Sequence, residues 1–160
     1  MVEPRDVVIL NLIKANPGIR YKELSRLTGF SHGVLSHHLN SLQKRRKAAA
    51  DREARITRYY PANFSTIEWR ILKCLRREPL REILEFVLAH DRCTSRDIVR
   101  FTGKAPSTIC SQLDVLKKSG LVVTIGRHCR PYRYSVADRR RVSGTLAKYR
   151  ETLSRNSPAP

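Results

Sequence analysis

The residues of this 160-residue chain whose chemistry stands out are its cations. Lysine and arginine number 32 against 14 acidic residues, which gives a formal net charge of +18 at pH 7. The segment from Lys44 to Arg58 alone holds seven basic and two acidic residues. Such a density of ammonium and guanidinium groups favours binding to a polyanion, above all to the phosphates of nucleic acid. The charge exceeds what the solubility of a small domain requires, so we expect a polyanionic partner.

A second group of cations lies in the C-terminal half, in a basic turn, in the strand that follows it and at the start of the last helix. These residues are Arg127, His128, Arg130, Arg133 and the run Arg139-Arg140-Arg141. For the run from Lys44 onward a purely structural interpretation stays open, because cations also stabilise the solvated end of a helix through its dipole. Position within the fold must therefore decide between the two interpretations.

The sequence offers little that would support catalysis or metal binding. It lacks a Gly-rich phosphate loop and a cluster of carboxylates for metal-assisted chemistry. The four cysteines are isolated, with no C-x-x-C pair, and we expect reduced thiols, with Cys74 and Cys110 packed among apolar residues. No apolar run approaches the roughly 20 residues of a membrane span. The chain is predicted to be no enzyme, to need no cofactor or metal, and to act in the cytoplasm, associated with the nucleoid and not with a membrane.

An internal repeat organises the elements that must position these cations. Shifting the sequence by 74 residues brings Glu23–Gly29 onto Asp97–Gly103, with the acid, the arginine and the Thr-Gly pair all matched. The same gapless shift aligns Tyr60 with Tyr134. Each half is therefore predicted to contain a helix, a short helix, a turn, a longer helix and a β-hairpin.

Local signals give the bounds of these elements. The predicted helices are Val7–Ala15, Tyr21–Leu27 and one capped by Ser31 in the first half, then Pro79–Ala89, Ser95–Phe101 and Pro106–Lys118 in the second. The predicted strands are Ile56–Tyr60, Leu121–Ile125 and Tyr132–Val136. Before the first of them, Ala48-Ala49-Ala50 could form a strand or extend the preceding helix, because alanine favours helix. Tyr60 and Tyr134 are the predicted core tyrosines, whereas Tyr59 is expected to face outward.

Two predicted helices lie outside the repeat. Ser65–Arg77 is predicted to be a linker helix with an apolar stripe. At the other end, an apolar stripe recurs at i, i+4, i+7 and i+11 in a C-terminal helix, at Val142, Leu146, Tyr149 and Leu153. This stripe needs a surface to bury against. We expect a homodimer formed through this helix, with packing on the second half of the same chain as the alternative.

These features resemble the winged helix-turn-helix transcription regulators, with MarR/ArsR-like modules in the tandem arrangement frequent in archaea. The resemblance rests on Lys22-Glu23-Leu24-Ser25, Leu27-Thr28-Gly29, the helix from Ser31 to Leu42 and an Arg-Tyr-Tyr strand. It implies a mainly α fold with small β-hairpin wings, of the α+β class. The domains expected are a first winged helix-turn-helix over 1–62, a linker helix over 63–78, a second winged helix-turn-helix over 79–137, and a C-terminal helix with a frayed tail over 138–160.

The resemblance also implies that a recognition helix lies in the major groove and a wing on the phosphates. Carried onto this sequence, the recognition residues are Ser31, His32, Ser36, His37 and Asn40, then Ser107, Thr108, Ser111 and Gln112. The expected phosphate contacts are Lys44, Arg52, Arg55, Arg58, Arg127, His128, Arg130 and Arg133. The sequence departs from the family where an arginine often contacts guanine, since His37 and Ser111 stand there. His38 is expected to pack inward and His37 to point outward.

The function expected from sequence is therefore sequence-specific binding of double-stranded DNA by a transcription regulator, with the transcription machinery as a further partner. Two alternatives remain open. One is an architectural DNA-binding protein, and the other is a tandem winged-helix scaffold that binds proteins in a chromosome-maintenance or transcription complex. In the second half, Asp114 falls where the first half has Asn40, and an exposed carboxylate there would repel phosphate. The first half is thus the better candidate for reading bases.

Overall fold

The computed structural model describes residues 3–53, 55–126, 128 and 130–154. The chain divides into two units, residues 1–69 and 70–160. The first unit contains α1 (Arg5–Ala15), β1 (Ile19–Arg20), α2 (Tyr21–Thr28), α3 (His32–Lys44), β2 (Ala48–Glu53) and β3 (Ile56–Pro61). Helix α4 (Thr66–Leu75) begins in the first unit and ends in the second.

The core of the first unit forms where α1 packs against α3. Apolar residues four apart on a helix share one face, and Ile9 and Ile13 of α1 are fully buried. On α3 the buried residues are Leu35, Leu39 and Leu42, at the spacing that the sequence predicted. The opposite face of α3 is therefore left for solvent or a partner.

The sheet of the first unit is antiparallel, with the strand order β1-β3-β2. Ala48–Ala50 lie in β2 and not in an extended α3, because Ala48 is buried and pairs with Pro61. Helix α3 ends at Lys44, and Arg46 adopts a φ of +52°, outside the helical region. Packing against β3 therefore overrides the helix propensity of the alanines.

The second unit repeats this order of elements. It contains α5 (Glu78–Ala89), β4 (Cys93–Thr94), α6 (Ser95–Thr102), α7 (Pro106–Lys118), β5 (Val122–Ile125), β6 (Arg133–Val136) and α8 (Arg139–Ser154). Its sheet has the strand order β4-β6-β5, equivalent to that of the first unit. Over the described residues the chain is thus mostly helical, with two small antiparallel sheets. The two-residue strands β1 and β4 were not predicted, since two residues are too short to show a strand period.

The gapless relation between the two halves fails at the hairpins. Ile19 pairs with Tyr59 in the first sheet, whereas Cys93 pairs with Tyr134 in the second. The second hairpin is therefore one residue longer, and the counterpart of Tyr134 is Tyr59, not Tyr60. Both tyrosines of β3 are buried, so the expectation that Tyr59 faces outward was wrong.

Both tyrosines are buried because other parts of the first unit cover β3. Helix α1 contacts this strand, and the ring of Tyr60 lies 6.0 Å from that of Trp69 and 6.4 Å from that of Phe64. The last four residues of β3, from Arg58 to Pro61, are all buried. A strand that is covered on both faces does not show the alternation of buried and exposed residues that the prediction assumed.

The stripe of α8 is buried within the chain. Val142, Leu146, Tyr149 and Leu153 are each at most 9% exposed. Two arginines hold the end of the helix, since Arg76 Nη1 donates to the Thr152 carbonyl at 2.9 Å and Arg81 Nη1 donates to the Leu153 carbonyl at 3.0 Å. The last carbonyls of a helix otherwise lack partners. The expected dimer contact through this stripe was wrong, and the alternative, packing within the same chain, holds.

The cysteines differ from expectation in one case. Cys74 is buried as predicted, but Cys110 is exposed, because it lies off the stripe of Ile109 and Leu113 that α7 buries. Cys93 is also buried, and burial raises the pKa of its thiol to about 11. A thiol with so high a pKa stays protonated at neutral pH and is a poor nucleophile.

Substituting Gly18 with alanine is expected to destabilise the first unit by about 1–3 kcal/mol. Gly18 has a φ of +83°, and an added Cβ would lie 3.0 Å from the hydroxyl oxygen of Tyr60, which is fully buried. The matched control is Gly33→Ala on α3, where nothing lies within 4 Å of an added Cβ. There alanine should stabilise by about 0.5–1 kcal/mol. Urea unfolding followed by the fluorescence of Trp69, the single tryptophan, measures both, and equal effects would contradict this account.

Candidate nucleic-acid interface

The turn between α2 and α3 fixes the direction in which α3 leaves the first unit's core. Gly29 ends α2 with a φ of +66°, and its N–H donates to the Ser25 carbonyl at 2.9 Å. The Thr28 hydroxyl donates to the Leu24 carbonyl at 2.7 Å and accepts from the N–H of Phe30 at 3.3 Å. The backbone of Gly29 and the side chain of Thr28 thus both stabilise the short turn between α2 and α3.

The second unit uses the same turn between α6 and α7. Gly103 has a φ of +67° and donates to the Val99 carbonyl at 2.9 Å. The Thr102 hydroxyl donates to the Ile98 carbonyl at 2.9 Å and accepts from the N–H of Lys104 at 3.3 Å. The Thr-Gly pair matched by the sequence repeat therefore has one structural task in both units.

Most of the recognition residues predicted on α3 lie on one exposed surface, which we call the α3 face. Its members are Ser31, His32, His37, Asn40 and Lys44, all exposed, with the half-buried Ser36 at its margin. Hydroxyl, imidazole and amide groups can donate to and accept from base edges, and an ammonium group can contact phosphate. Ser31 stands at the N-cap position of α3, but its hydroxyl makes no capping hydrogen bond.

Tyr21, the first residue of α2, contacts the start of the α3 face and was not predicted as a site residue. Its hydroxyl lies 2.8 Å from His32 Nδ1, 3.1 Å from the His32 carbonyl and 3.0 Å from Ser36 Oγ. The rings of Tyr21 and His32 pack edge to face, with centroids 5.3 Å apart. Tyr21 therefore orients two of the predicted recognition residues. In sequence the only signal was a mismatch, since the repeat places Ser95 opposite Tyr21.

A second unpredicted residue, Asp6 of α1, holds the far end of α3. Its two carboxylate oxygens bond to His38 Nδ1 and to the Arg45 guanidinium. Burial alone would raise the pKa of Asp6, but hydrogen bonds and charge from Arg45 and His38 outweigh it and lower the pKa. His38 is half-buried and His37 is exposed, as expected for neighbours on a helix.

Helix α7 offers a different surface. Ser107, Thr108 and Ser111 are exposed, but Gln112 is half-buried at the position that His38 holds in α3. Asp114 occupies the position of Asn40, and one of its carboxylate oxygens lies 2.7 Å from Lys117 Nζ. The hydrogen bond from Lys117 lowers the pKa of Asp114, so an ionised carboxylate lies on this exposed surface.

The hairpins carry some of the predicted phosphate contacts at exposed positions. These are Arg52 and Arg55 in the first unit and His128 and Arg130 in the second. Arg127 lies outside the described residues. Arg46 and Lys47, just after α3, are also exposed, although they were not singled out in the sequence.

Two predicted phosphate contacts hold the fold instead. Arg58 is buried, and its Nη1 donates to the Gly18 carbonyl at 3.0 Å. Arg133, its counterpart, is exposed, and its Nη1 donates to the Arg92 carbonyl at 3.1 Å. Both acceptors are residues with positive φ that precede the first strand of a sheet. Arg58 is therefore removed from the candidate contacts, and Arg133 is already engaged with the main chain.

The run of three arginines that begins α8 is also partly structural. Arg139 Nη2 donates to the Leu88 carbonyl at 2.6 Å, and Arg139 lies 3.7 Å from the Asp91 carboxylate. Arg141 pairs with Asp138 at 3.3 Å. Two of these three side chains thus have partners within the chain.

The chemistry that these surfaces offer is hydrogen bonding and ionic contact. Among the residues that the structure describes, no three or more histidine, cysteine or acidic side chains lie together where they could hold a metal ion. None of the helices, over the same described ranges, is both long enough and apolar enough to cross a membrane.

Replacing Tyr21 with phenylalanine should loosen the start of α3. Loss of the hydroxyl removes its contacts with His32 and Ser36 and should cost about 1 kcal/mol of stability. Amide hydrogen exchange should accelerate in the first turn of α3 and not in α1. Tyr132→Phe, at an exposed tyrosine of the second unit, is the control for hydroxyl loss as such. Unchanged exchange in the first turn of α3 would show that Tyr21 does not orient it.

The ion pairs of Asp6 predict how stability depends on pH. Because folding lowers the pKa of Asp6, its contribution is present above the unfolded pKa of about 3.9 and is lost as pH falls through the folded pKa. The wild type should therefore be more stable than Asp6→Asn at pH 7, with a difference that shrinks below about pH 4. Urea titrations of both proteins across this range test it, and a difference independent of pH would argue against the ion pairs.

Comparison with known families agrees with this geometry for the first unit. Residues 4–72 match the model of a family described as an N-terminal HTH domain, where HTH denotes helix-turn-helix. No curated protein matches the chain. The family match begins just before α1 and ends within α4, so it covers the α2–turn–α3 segment, the α3 face and the β2–β3 hairpin. The match therefore supports a helix-turn-helix module over residues 4–72.

Proposed function

We propose that the protein is a sequence-specific, double-stranded DNA-binding transcription regulator with two winged helix-turn-helix domains in tandem. In this proposal α3 and α7 enter the major groove, and the hairpins β2–β3 and β5–β6 are wings on the phosphate backbone. The observation that carries it is the α3 face: polar side chains on the outward side of a helix whose other side is buried, within a segment that matches a helix-turn-helix family.

The first unit is the better candidate for base reading. His37 and Asn40 are exposed on successive turns of α3, and an asparagine amide can make two hydrogen bonds to adenine. In the second unit the carboxylate of Asp114 stands at the position of Asn40. A negative charge there opposes close approach to phosphates, so the second unit contributes chiefly through its basic surface.

The distribution of cations supports wings that contact the backbone. Arg52 and Arg55 are exposed on the first hairpin, and Arg130 is exposed on the second. Lys44 lies at the end of α3, where a cation is close to any DNA held along that helix. Contacts of this kind fix the position of a protein on the duplex without reading sequence.

As a regulator the protein would act on nucleoid DNA in the cytoplasm. It would repress by occluding a promoter or activate by recruiting the transcription machinery. Both modes need only a specific DNA contact and an exposed protein surface.

One observation favours a second candidate, a scaffold that binds other proteins. Phe101 is 58% exposed on α6, and its ring packs 4.7 Å from that of Phe86. The equivalent residue of α2, Leu27, is 48% exposed. Phe101 and Phe86 thus form a small apolar cluster with one exposed ring, and an exposed apolar patch is suited to protein contact.

Selection of duplexes from a random-sequence pool by the full chain tests the proposal. We expect one motif to be enriched, with an affinity at least about 1,000-fold above that for bulk DNA. Asn40→Ala should cost about 1–3 kcal/mol at one base position and relax the preference there, whereas Lys44→Ala should weaken binding to all sequences and lower the salt slope by about 1. Arg150→Ala, an equal loss of charge on α8, is the control.

Other outcomes separate the alternatives. Uniform, salt-sensitive binding without an enriched motif would replace the regulator by an architectural protein. An absence of DNA binding at physiological salt, together with loss of a captured partner in Phe101→Ser, would replace it by the scaffold.

A further inference from the structure

Gly33 lies within α3 at a point where the fold itself does not require a glycine. It is exposed and helical, and within the described part of the chain nothing lies within 4 Å of an added Cβ. Glycine inside a helix lowers stability relative to alanine, because it loses more backbone freedom on folding. Its counterpart in α7 is Ser107. The first unit therefore carries a helix-weakening residue that neither its backbone conformation nor its packing explains.

The position of Gly33 on the helix suggests a reason. Gly33, His37, Asn40 and Lys44 recur at i, i+4, i+7 and i+11, so they share one side of α3. All four residues are exposed. Gly33 thus continues the α3 face toward the start of the helix, at a place without a side chain. Such a gap lets the helix backbone come close to any surface that the neighbouring polar side chains contact.

The chain just beyond the other end of α3 carries a second costly residue, Arg46. Its N–H donates to the Gln43 carbonyl at 3.0 Å. In the second unit the N–H of Gly120 donates to the Lys117 carbonyl at 2.9 Å, so the two units use the same turn. The φ angles are +52° at Arg46 and +71° at Gly120. Glycine adopts such an angle freely, whereas a residue with a Cβ adopts it with strain. The first unit thus has an arginine where glycine would be more stable.

Contacts within the fold do not explain this arginine. Arg46 is exposed, and over the residues that the structure describes no ion pair or side-chain hydrogen bond involves it. Arg92, the other arginine with a positive φ, differs in this respect. It acts on the adjacent carboxylate of Asp91, and its carbonyl accepts a hydrogen bond from Arg133. The strain at Arg92 therefore has a counterpart in local contacts, and the strain at Arg46 has none.

We propose that Gly33 and Arg46 are retained, at a cost in stability, because both contact DNA. The backbone at Gly33 lies in van der Waals contact with base edges in the major groove, and the guanidinium group of Arg46 pairs with a phosphate. A side chain at Gly33 would lift α3 from the base pair that it faces, so this glycine limits which base pairs fit beneath the helix. The inference rests on the proposed function. It extends the same interface to a residue without a polar side chain and to a cation beyond the end of α3.

Substitutions at these two residues should raise stability and lower the affinity for DNA together, which a purely structural role would not do. Gly33→Ala should raise the Tm by about 2–5 °C. It should weaken binding to the enriched motif by about tenfold or more and change the base preference at one position. Arg46→Gly should raise the Tm by a similar amount, weaken binding to all sequences about fivefold at physiological salt, and lower the salt slope by about 1.

Thermal unfolding followed by circular dichroism, and fluorescence-anisotropy titration of the selected duplex with the full chain, measure these two quantities. Each variant has a matched control. Gly144→Ala makes the same change at an exposed helical glycine of α8, where nothing described lies within 4 Å of an added Cβ. Arg92→Gly removes the same charge at an exposed residue with a φ of +59°. Both controls should raise the Tm and change the affinity for DNA by less than about twofold.

Circular dichroism also shows whether each variant is folded, and Arg46→Asn, with a residue that tolerates positive φ, replaces Arg46→Gly if that variant is not. Unchanged affinity in either variant, or an equal loss of affinity in its control, would remove that residue from the interface. A lower Tm in either variant would show that the residue serves the fold and would equally overturn its assignment. A wild type that binds no duplex refutes the proposed function and this inference with it, whereas unchanged affinity in both variants of a wild type that binds refutes this inference alone.

Discussion

The position of the helix with an exposed polar face in each unit, α3 or α7, depends on one glycine in the left-handed backbone conformation. Gly29 and Gly103 reverse the chain with nearly equal φ angles of +66° and +67°, which residues other than glycine adopt only with strain. The preceding threonine bonds to both sides of the turn. With this turn fixed, the apolar stripe of the following helix packs against the core. The polar side of the same helix therefore faces outward. Any other residue at Gly29 would strain the turn that sets the direction of α3.

A second constraint joins each hairpin to its unit. Arg58 and Arg133 reach across the sheet to the carbonyl of a residue with positive φ, just before the first strand begins. A carbonyl at such a bend lies outside the ladder of sheet hydrogen bonds, and an unmet buried acceptor is costly. Arg58 meets this need at the buried Gly18 carbonyl, and Arg133 makes the equivalent hydrogen bond to the carbonyl of Arg92, which is exposed. The two residues therefore connect the hairpin to the turn that follows the first helix.

Much of this fold could be predicted from the sequence because its signals are local. The helix Pro106–Lys118 is confirmed with both ends as predicted, since Pro106 favours a first turn and Gly120 follows the last one. Cys110 was misplaced, although its position next to Ile109 already put it about 100° off the apolar stripe. The contacts of Asp6 with His38 and Arg45 join residues more than thirty positions apart, and no local pattern contains them. The extra residue in the second hairpin likewise could not be predicted from the sequence, because only the strand pairing shows where it is inserted.

The arginines that bond to main-chain carbonyls have a consequence for kinetics. Arg58, Arg76, Arg81 and Arg139 keep their positive charge while their side chains are held by the fold. They add to the long-range field of a chain with a net charge of +18, which draws a polyanion in and speeds encounter. Because their guanidinium groups already bond to main-chain carbonyls, they should displace fewer condensed counterions than arginines whose side chains extend into solvent. The association rate with a polyanion is therefore expected to be high, because it depends on the whole charge. The dissociation rate is also expected to be high, because fewer cations contact the bound polyanion directly.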